Sequence, residues 1–397
     1  MSERARVIWD PVFLEYDFGR DHPMTPVRLD LTMRLARELG LFENPDVLVA
    51  PEGQASDDEL LRVHTPALLE AVRQAGADQR YPALDHGVGT EDVPAFEGMH
   101  AASALAVGAT LTAAHLIASG AADHVVNIAG GLHHALPDRA SGFCVYNDVA
   151  VGIHWLLDHG FERIAYVDVD VHHGDGVQAI FWDDPRVLTI SMHESGTSLF
   201  PGTGFPDEIG GSQAKGSATN IALPPGTVDA GWLRAFNAIV PPLIEEFQPQ
   251  VIVSQHGADS HIDDPLAHLA ITVDGQRAAA ASIHRLAHRH AGGRWIALGG
   301  GGYEWACVVP RAWSHLIAIA LGNPIDPQTL VPQGFRDHLS TVYGRVSPET
   351  MSDGAYPWAK SFDDGYDPAN AVDRAIMATR EAVFPHHGLL VDPWQLF

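Results

Sequence analysis

Asp168, Asp170 and His172 alternate with Val167, Val169 and Val171 in the sequence. Strand side chains have period two, so three polar groups spaced this way share one face. A parallel strand inside an α/β fold is buried on both faces. Two carboxylates side by side there are costly unless each is paired or bound to a cation. A salt-bridge network would satisfy them. So would a metal ion, because Asp oxygen and His nitrogen are ordinary zinc ligands. Asp259, in Gly257-Ala258-Asp259, follows another strand-like run and is the third candidate, although an Asp in that place equally caps a helix. Three protein ligands leave coordination positions open, as in catalytic rather than structural sites. Ligand type does not separate zinc from ferrous iron.

His133-His134 lies one residue past Gly130-Gly131, where glycine lets the backbone turn sharply. Asp168 and Asp175 could each accept from one of the two imidazoles, which would fix its tautomer and raise its basicity. Tyr303 follows four glycines, placing a hydroxyl where it could donate to a developing oxyanion. The same glycine run lacks both the GxGxxG spacing and the Lys-Ser/Thr ending of a phosphate loop. The histidines within 284–290 read as a solvated helix face.

These residues must be delivered by elements. Four apolar runs end at them: residues 124–129, 163–171, 251–254 and 295–298. Helical patterns alternate with the runs, one of them from Val27 to a C-cap at Gly40. That alternation predicts an α/β fold: a single domain with a central, mostly parallel sheet flanked by helices. Sites in such sheets form beyond the carboxyl ends of the strands. The apolar stretch Met99–Ala118 reads as a buried helix. Past Pro324 the chain turns Pro-rich, with one late helix expected over Ala369–Ala382. The domain is expected over residues 1–385, with a tail over 386–397.

The 397 residues carry a net charge of −26, and only two of the 24 basic residues are lysines, Lys215 and Lys360. No basic footprint for nucleic acid is present. An acidic surface keeps a protein soluble and could steer cationic partners. Two cysteines give no disulfide framework. The start of the chain has charged Glu3, Arg4 and Arg6 and only the short apolar run Val7-Ile8-Trp9, so neither a signal peptide nor a membrane role is expected. A cytoplasmic setting fits.

Several stretches together resemble the zinc-dependent histone deacetylase superfamily, and within it the bacterial acetoin-utilization deacetylases. They are Asp21-His22-Pro23-Met24 with Arg28, residues 130–148, 166–176, 200–204, 257–265 and 298–303. The resemblance covers roughly residues 7–322 and implies an arginase/deacetylase-like fold. It implies zinc on Asp170, His172 and Asp259, and tandem histidines His133 and His134 with Asp168 and Asp175 as their partners. It makes Tyr303 the carbonyl-polarising tyrosine. Phe143 and Phe200 would wall an acyl-lysine tunnel beside Gly142, with Asp92 and Leu266 at its rim and Arg28 near the acetate exit. A structural potassium ion would use backbone oxygens of Asp168, Asp170, His172 and Met192 with the Ser191 hydroxyl. Glu304 departs from the Asn common after the tyrosine. The implied reaction is hydrolysis of Nε-acetyl-lysine in proteins, acetyl-CoA synthetase among them. An acetylpolyamine amidohydrolase is the alternative. A non-catalytic acyl-lysine binding protein would be expected to have lost part of this set. An arginase-like enzyme would need a further Asp where Gly174 stands.

Overall fold

A computed structural model describes residues 4–392, so Glu3 and the last five residues of the expected tail lie outside the description. The strands are β1 (Ala5–Ile8), β2 (Leu48–Val49), β3 (His124–Asn127), β4 (Ile164–Asp168), β5 (Val187–Glu194), β6 (Ala218–Leu223), β7 (Val251–Gln255) and β8 (Trp295–Leu298). They form one sheet in the order β2-β1-β3-β8-β7-β4-β5-β6, and every pairing is parallel.

The helices are α1 (Val27–Glu38), α2 (Asp57–Leu60), α3 (Pro66–Ala77), α4 (Met99–Ala118), α5 (Asp148–Asp158), α6 (Asp175–Ile180), α7 (Asp229–Phe247), α8 (Val273–His290), α9 (Val309–Ala320), α10 (Gln333–Tyr343) and α11 (Ala371–Val383). One packed succession runs α3-α4-α5-α6, and another runs α1-α9-α8-α7-α11. Parallel strands joined by helical crossovers require such cover on both faces. α4 is apolar all round and almost wholly buried against β1, β3 and β8, so its membrane-like length is that of a core helix.

The four runs singled out in the sequence become β3, β8, β7 and β4, which are consecutive neighbours in the middle of the sheet. Their registers align Asn127 with Leu298, Leu298 with Gln255, and Gln255 with Asp168. The carboxyl ends therefore finish in one row, and the loops that follow emerge side by side.

Three expectations need correction. β4 stops at Asp168 rather than Val171. Beyond it the amides of Asp170, Val171 and His172 donate to the carboxylates of Asp168 (3.2 Å), Asp259 (3.0 Å) and Asp170 (2.9 Å). Side chains thus replace ladder carbonyls there, and strand alternation does not carry Asp170 and His172 to a common face. β3 likewise ends at Asn127, two residues short. The chain past Pro324 holds a second helix, α10, which the polar sequence hid. Its Phe335 and Leu339 pack on Leu31 and Leu35 of α1, with Val331 and Met351, in a small separate core. Tertiary packing, not propensity, selects that helix.

The C-terminal region braces the domain. Asp353 accepts from His261 Nε2 (2.9 Å) and Val273 N (2.7 Å) and pairs with Arg311 (2.8 Å). Arg234 of α7 forms a two-point ion pair with Asp373 of α11 (2.7 and 2.8 Å), and both residues are buried. Removing one partner of such a pair strands the other charge in the interior. Asp373→Ala is expected to lower the unfolding free energy by about 3–5 kcal/mol in urea titration. A loss within about 1 kcal/mol would show the pair behaving like a surface bridge.

Candidate active site

Each loop of the central row delivers its own part. The β4 loop brings Asp170 and His172, and the β7 loop brings Asp259. One ligand-capable atom from each lies within 4.8 Å of the others, and all three residues are buried. His172 Nδ1 stands 3.1 Å from Asp170 and 3.2 Å from Asp259. Burial alone would lower the His172 imidazole, but the two carboxylates carry it up to about 10. Burial and the charge of Asp170 push Asp259 up to about 6. The cluster thus holds protons to balance two buried carboxylates, which is the balance a divalent cation would supply instead. Space is kept for such an ion by glycine. A Cβ at Gly257 would run into the Asp170 carboxylate, and one at Gly301 into that of Asp259. The donor set and the cradle therefore fit a metal.

The β3 loop brings the tandem histidines. His133 Nδ1 donates to Asp168 (2.7 Å), and His134 Nδ1 donates to Asp175 (2.6 Å). The two Nε2 atoms face each other at 3.0 Å, so one of them carries the proton between them. Burial would lower His133, yet Asp168 and Asp170 raise it to about 9. Burial and the charge of His133 press His134 down to about 4, against the pull of Asp175. His133 is accordingly the protonated partner, and His134 presents a lone pair.

The β8 loop brings Tyr303, whose phenol is kept protonated by burial and then by the charges of Asp259 and Asp170. A cavity of about 210 Å³ opens above these groups, lined by Asp92, His134, Gly142, Phe143, His172, Leu199, Phe200, Leu266 and Tyr303. Every substrate-wall residue expected from the sequence is on it, and Leu199 joins them. The Phe143 ring stands edge-on to Tyr303 at 5.6 Å, and Phe200 edge-on to His134 at 5.1 Å. Phe143 has φ +63, a left-handed conformation costly for a bulky residue. It is held from both sides. Tyr16 Oη donates to the Phe143 carbonyl at 2.9 Å, and Asp92 accepts from Gly142 N at 2.7 Å. Gly142 is required here, since φ is +54 and a Cβ would strike the His134 ring.

The remaining expected residues also find places. Arg28 is buried, donates to the Gly300 carbonyl at 2.6 Å and lies over Trp313. Ser191 stands opposite Asp168 in the β4–β5 register, next to Met192, and its Oγ contacts Gly174 N (3.3 Å) and His193 (2.8 Å). A side chain at Gly174 would meet Asp168 and His133, so an additional Asp has no room there. Glu304 turns away from the cavity to accept from Cys307 N (2.6 Å) and to pair with Arg345.

Sequence reasoning missed the residues that hold the loops. Gln255 donates to Asp170 at 2.7 Å. Asp264 accepts from Tyr303 N at 2.8 Å and from Leu266 N at 3.0 Å. Asp148 accepts from Leu132 N at 2.7 Å, and Asn147 donates to the carbonyls of His133 and Ala135. Asn147 and Asp148 close the resembling stretch 130–148, and Asn147 also caps α5.

Residues 22–320 match the histone deacetylase domain family. The chain is 44% identical to the acetoin utilization protein AcuC of Bacillus subtilis (strain 168), over 82% of this chain and 85% of that protein. It is 38% identical to AcuC of Staphylococcus xylosus, over 81% and 84% respectively. The crystal structure of a histone deacetylase homologue from Aquifex aeolicus matches with a TM-score of 0.82 at 28% identity, covering 94% of this chain and 99% of that one. With its metal-fitting cluster and tandem histidines below an aromatic-walled cavity, the chain belongs to the histone deacetylase family, in its acetoin-utilization branch, and is a hydrolase acting on acetyl amides.

Proposed function

We propose that the substrate is Nε-acetyl-lysine in a protein or peptide, hydrolysed to lysine and acetate with zinc on Asp170, His172 and Asp259. The carrying observation is the cavity itself: two phenylalanines flank a passage that ends at His134, His172 and Tyr303. An aliphatic lysine stem suits such walls. Leu266 at the rim offers no carboxylate for the distal cation of an acetylpolyamine. The relatives' names place those proteins in acetoin utilization, and an acetylated metabolic enzyme such as acetyl-CoA synthetase is proposed as one protein substrate. Both cysteines are free thiols, consistent with the cytoplasm. A potassium ion on the backbone oxygens of Asp168, Asp170, His172 and Met192, with Ser191 Oγ, is proposed as a structural support of the same loop.

The bound divalent ion would supply Lewis-acid polarisation of the amide carbonyl and lower the pKa of a water toward about 7. His134 lines the cavity, and its unprotonated Nε2, which accepts from His133 at rest, would exchange that contact for the attacking water, take its proton and return it to the departing amine. Asp175 fixes the tautomer that leaves Nε2 open. His133, protonated against Asp168, stays a fixed positive charge beside it. Tyr303 Oη donates to the oxyanion. Arg28, a buried cation behind the site, draws the acetate product.

Acetate release from an acetyl-lysine peptide, by metal-stripped protein reconstituted with zinc, tests the reading. Release is expected with zinc and absent in Asp170→Ala. Release from an acetylpolyamine but not from the peptide would overturn the substrate assignment. Tyr303→Phe is expected to lower kcat by about 10²–10³-fold with metal content unchanged. Turnover near wild type would remove Tyr303 from the oxyanion site. Asp175 raises the His134 pKa, so Asp175→Asn should move the acid limb of kcat/KM to lower pH while lowering the plateau. An acid limb that stays put would argue against His134 as the base.

A further inference from the structure

At the opposite, amino-terminal end of the sheet, His124 opens β3 while His284 and His288 occupy successive turns of α8. By sequence alone, 284–290 reads as a solvated helix face. Instead, His284 is partly buried, and His288 alone of the three is exposed. Residues four apart on a helix share a face, and here that face meets the buried His124 ring. Ring centroids lie 4.7 Å apart for His124–His284, 5.0 Å for His124–His288 and 4.6 Å for His284–His288. One nitrogen from each ring lies within 4.8 Å of the other two, and the Nε2 atoms of His284 and His288 are 3.1 Å apart.

His124 Nδ1 must donate to the Ala320 carbonyl, 2.8 Å away at the end of α9, because a carbonyl only accepts. That bond fixes the tautomer and leaves Nε2 as the unprotonated nitrogen. A backbone carbonyl orienting a histidine in this way is the usual support of a metal-binding imidazole. Neutral imidazoles are the form that ligates metal.

We propose that His124, His284 and His288 form a second metal site, separate from the catalytic cluster, for a borderline divalent transition ion such as Zn²⁺ or Ni²⁺. Three imidazole nitrogens select this class over Mg²⁺ or Ca²⁺, which prefer oxygen. The ion would tie α8 to the first residue of β3 and, through His124, to the end of α9. The exposed edge at His288 leaves an approach from solvent.

The test counts ions. Untagged protein is stripped with chelator, reloaded with Zn²⁺, desalted and measured by mass spectrometry for zinc per chain. Two ions are expected in the wild type, one in His284→Ala/His288→Ala, and one in Asp170→Ala. Alanine is the best helix former, so α8 should persist, as circular dichroism would verify. If the double variant loses helicity, His288→Ala alone, at the exposed position, should still lower affinity for the second ion at least about 10-fold. Ni²⁺ added to chelator-stripped protein should raise Tm in the wild type more than in the variant. Equal zinc counts in wild type and double variant, or a second ion retained only in millimolar metal, would overturn the site.

Discussion

Two carboxylates, Asp170 and Asp259, close on one imidazole in a place shielded from water, and their mutual repulsion is the constraint that organises the molecule's catalytic edge. Buried like charges separate, take up protons or recruit a cation. Around them the chain has gathered donors: Gln255 Nε2 and Gly301 N on Asp170, and Val171 N on Asp259. Glycines at 257 and 301 let backbone approach where any side chain would strike a carboxylate. β4 gives up its ladder at Asp168 for the same reason, because its next amides are needed by acids.

The second pair of acids works differently. Asp168 and Asp175 each engage one histidine, and the two histidines meet nitrogen to nitrogen. The same type of contact yields opposite outcomes because the surroundings differ. His133 feels both Asp168 and Asp170, whereas His134 feels the charge of His133. One imidazole holds its proton and its neighbour gives its own up. Geometry alone is nearly symmetric here, and the electrostatics break the symmetry.

Much of this was legible in the sequence. Polar residues directly after apolar runs marked the carboxyl ends of β3, β4, β7 and β8, and parallel topology put those ends on one edge. Asp170, His172, Asp259, the histidine pair and Tyr303 lie on the loops that residue type and position singled out, although strand alternation does not bring Asp170 and His172 together, and Phe143 and Phe200 line the cavity as the family resemblance implied. What stayed hidden depends on contacts distant in sequence. Asp264 holds the backbone of Tyr303, 39 positions away, and Asp148 holds the His133-His134 loop from across a turn. An aspartate that accepts from a remote amide looks like any loop aspartate. α10 was hidden because only two of its residues are buried, against a helix near the other end of the chain. His284 and His288 looked solvated because nothing in a helical repeat reveals the ring arriving from β3.

The brace formed by Asp353 has a consequence for how the molecule comes into being. By the time Tyr303 leaves the ribosome, every residue of the metal cluster and the histidine pair has been synthesised. Yet His261, two residues beyond Asp259, reaches Asp353, and Arg234 of α7 reaches Asp373. A nascent chain therefore holds the complete chemical set before it holds the C-terminal residues that brace it.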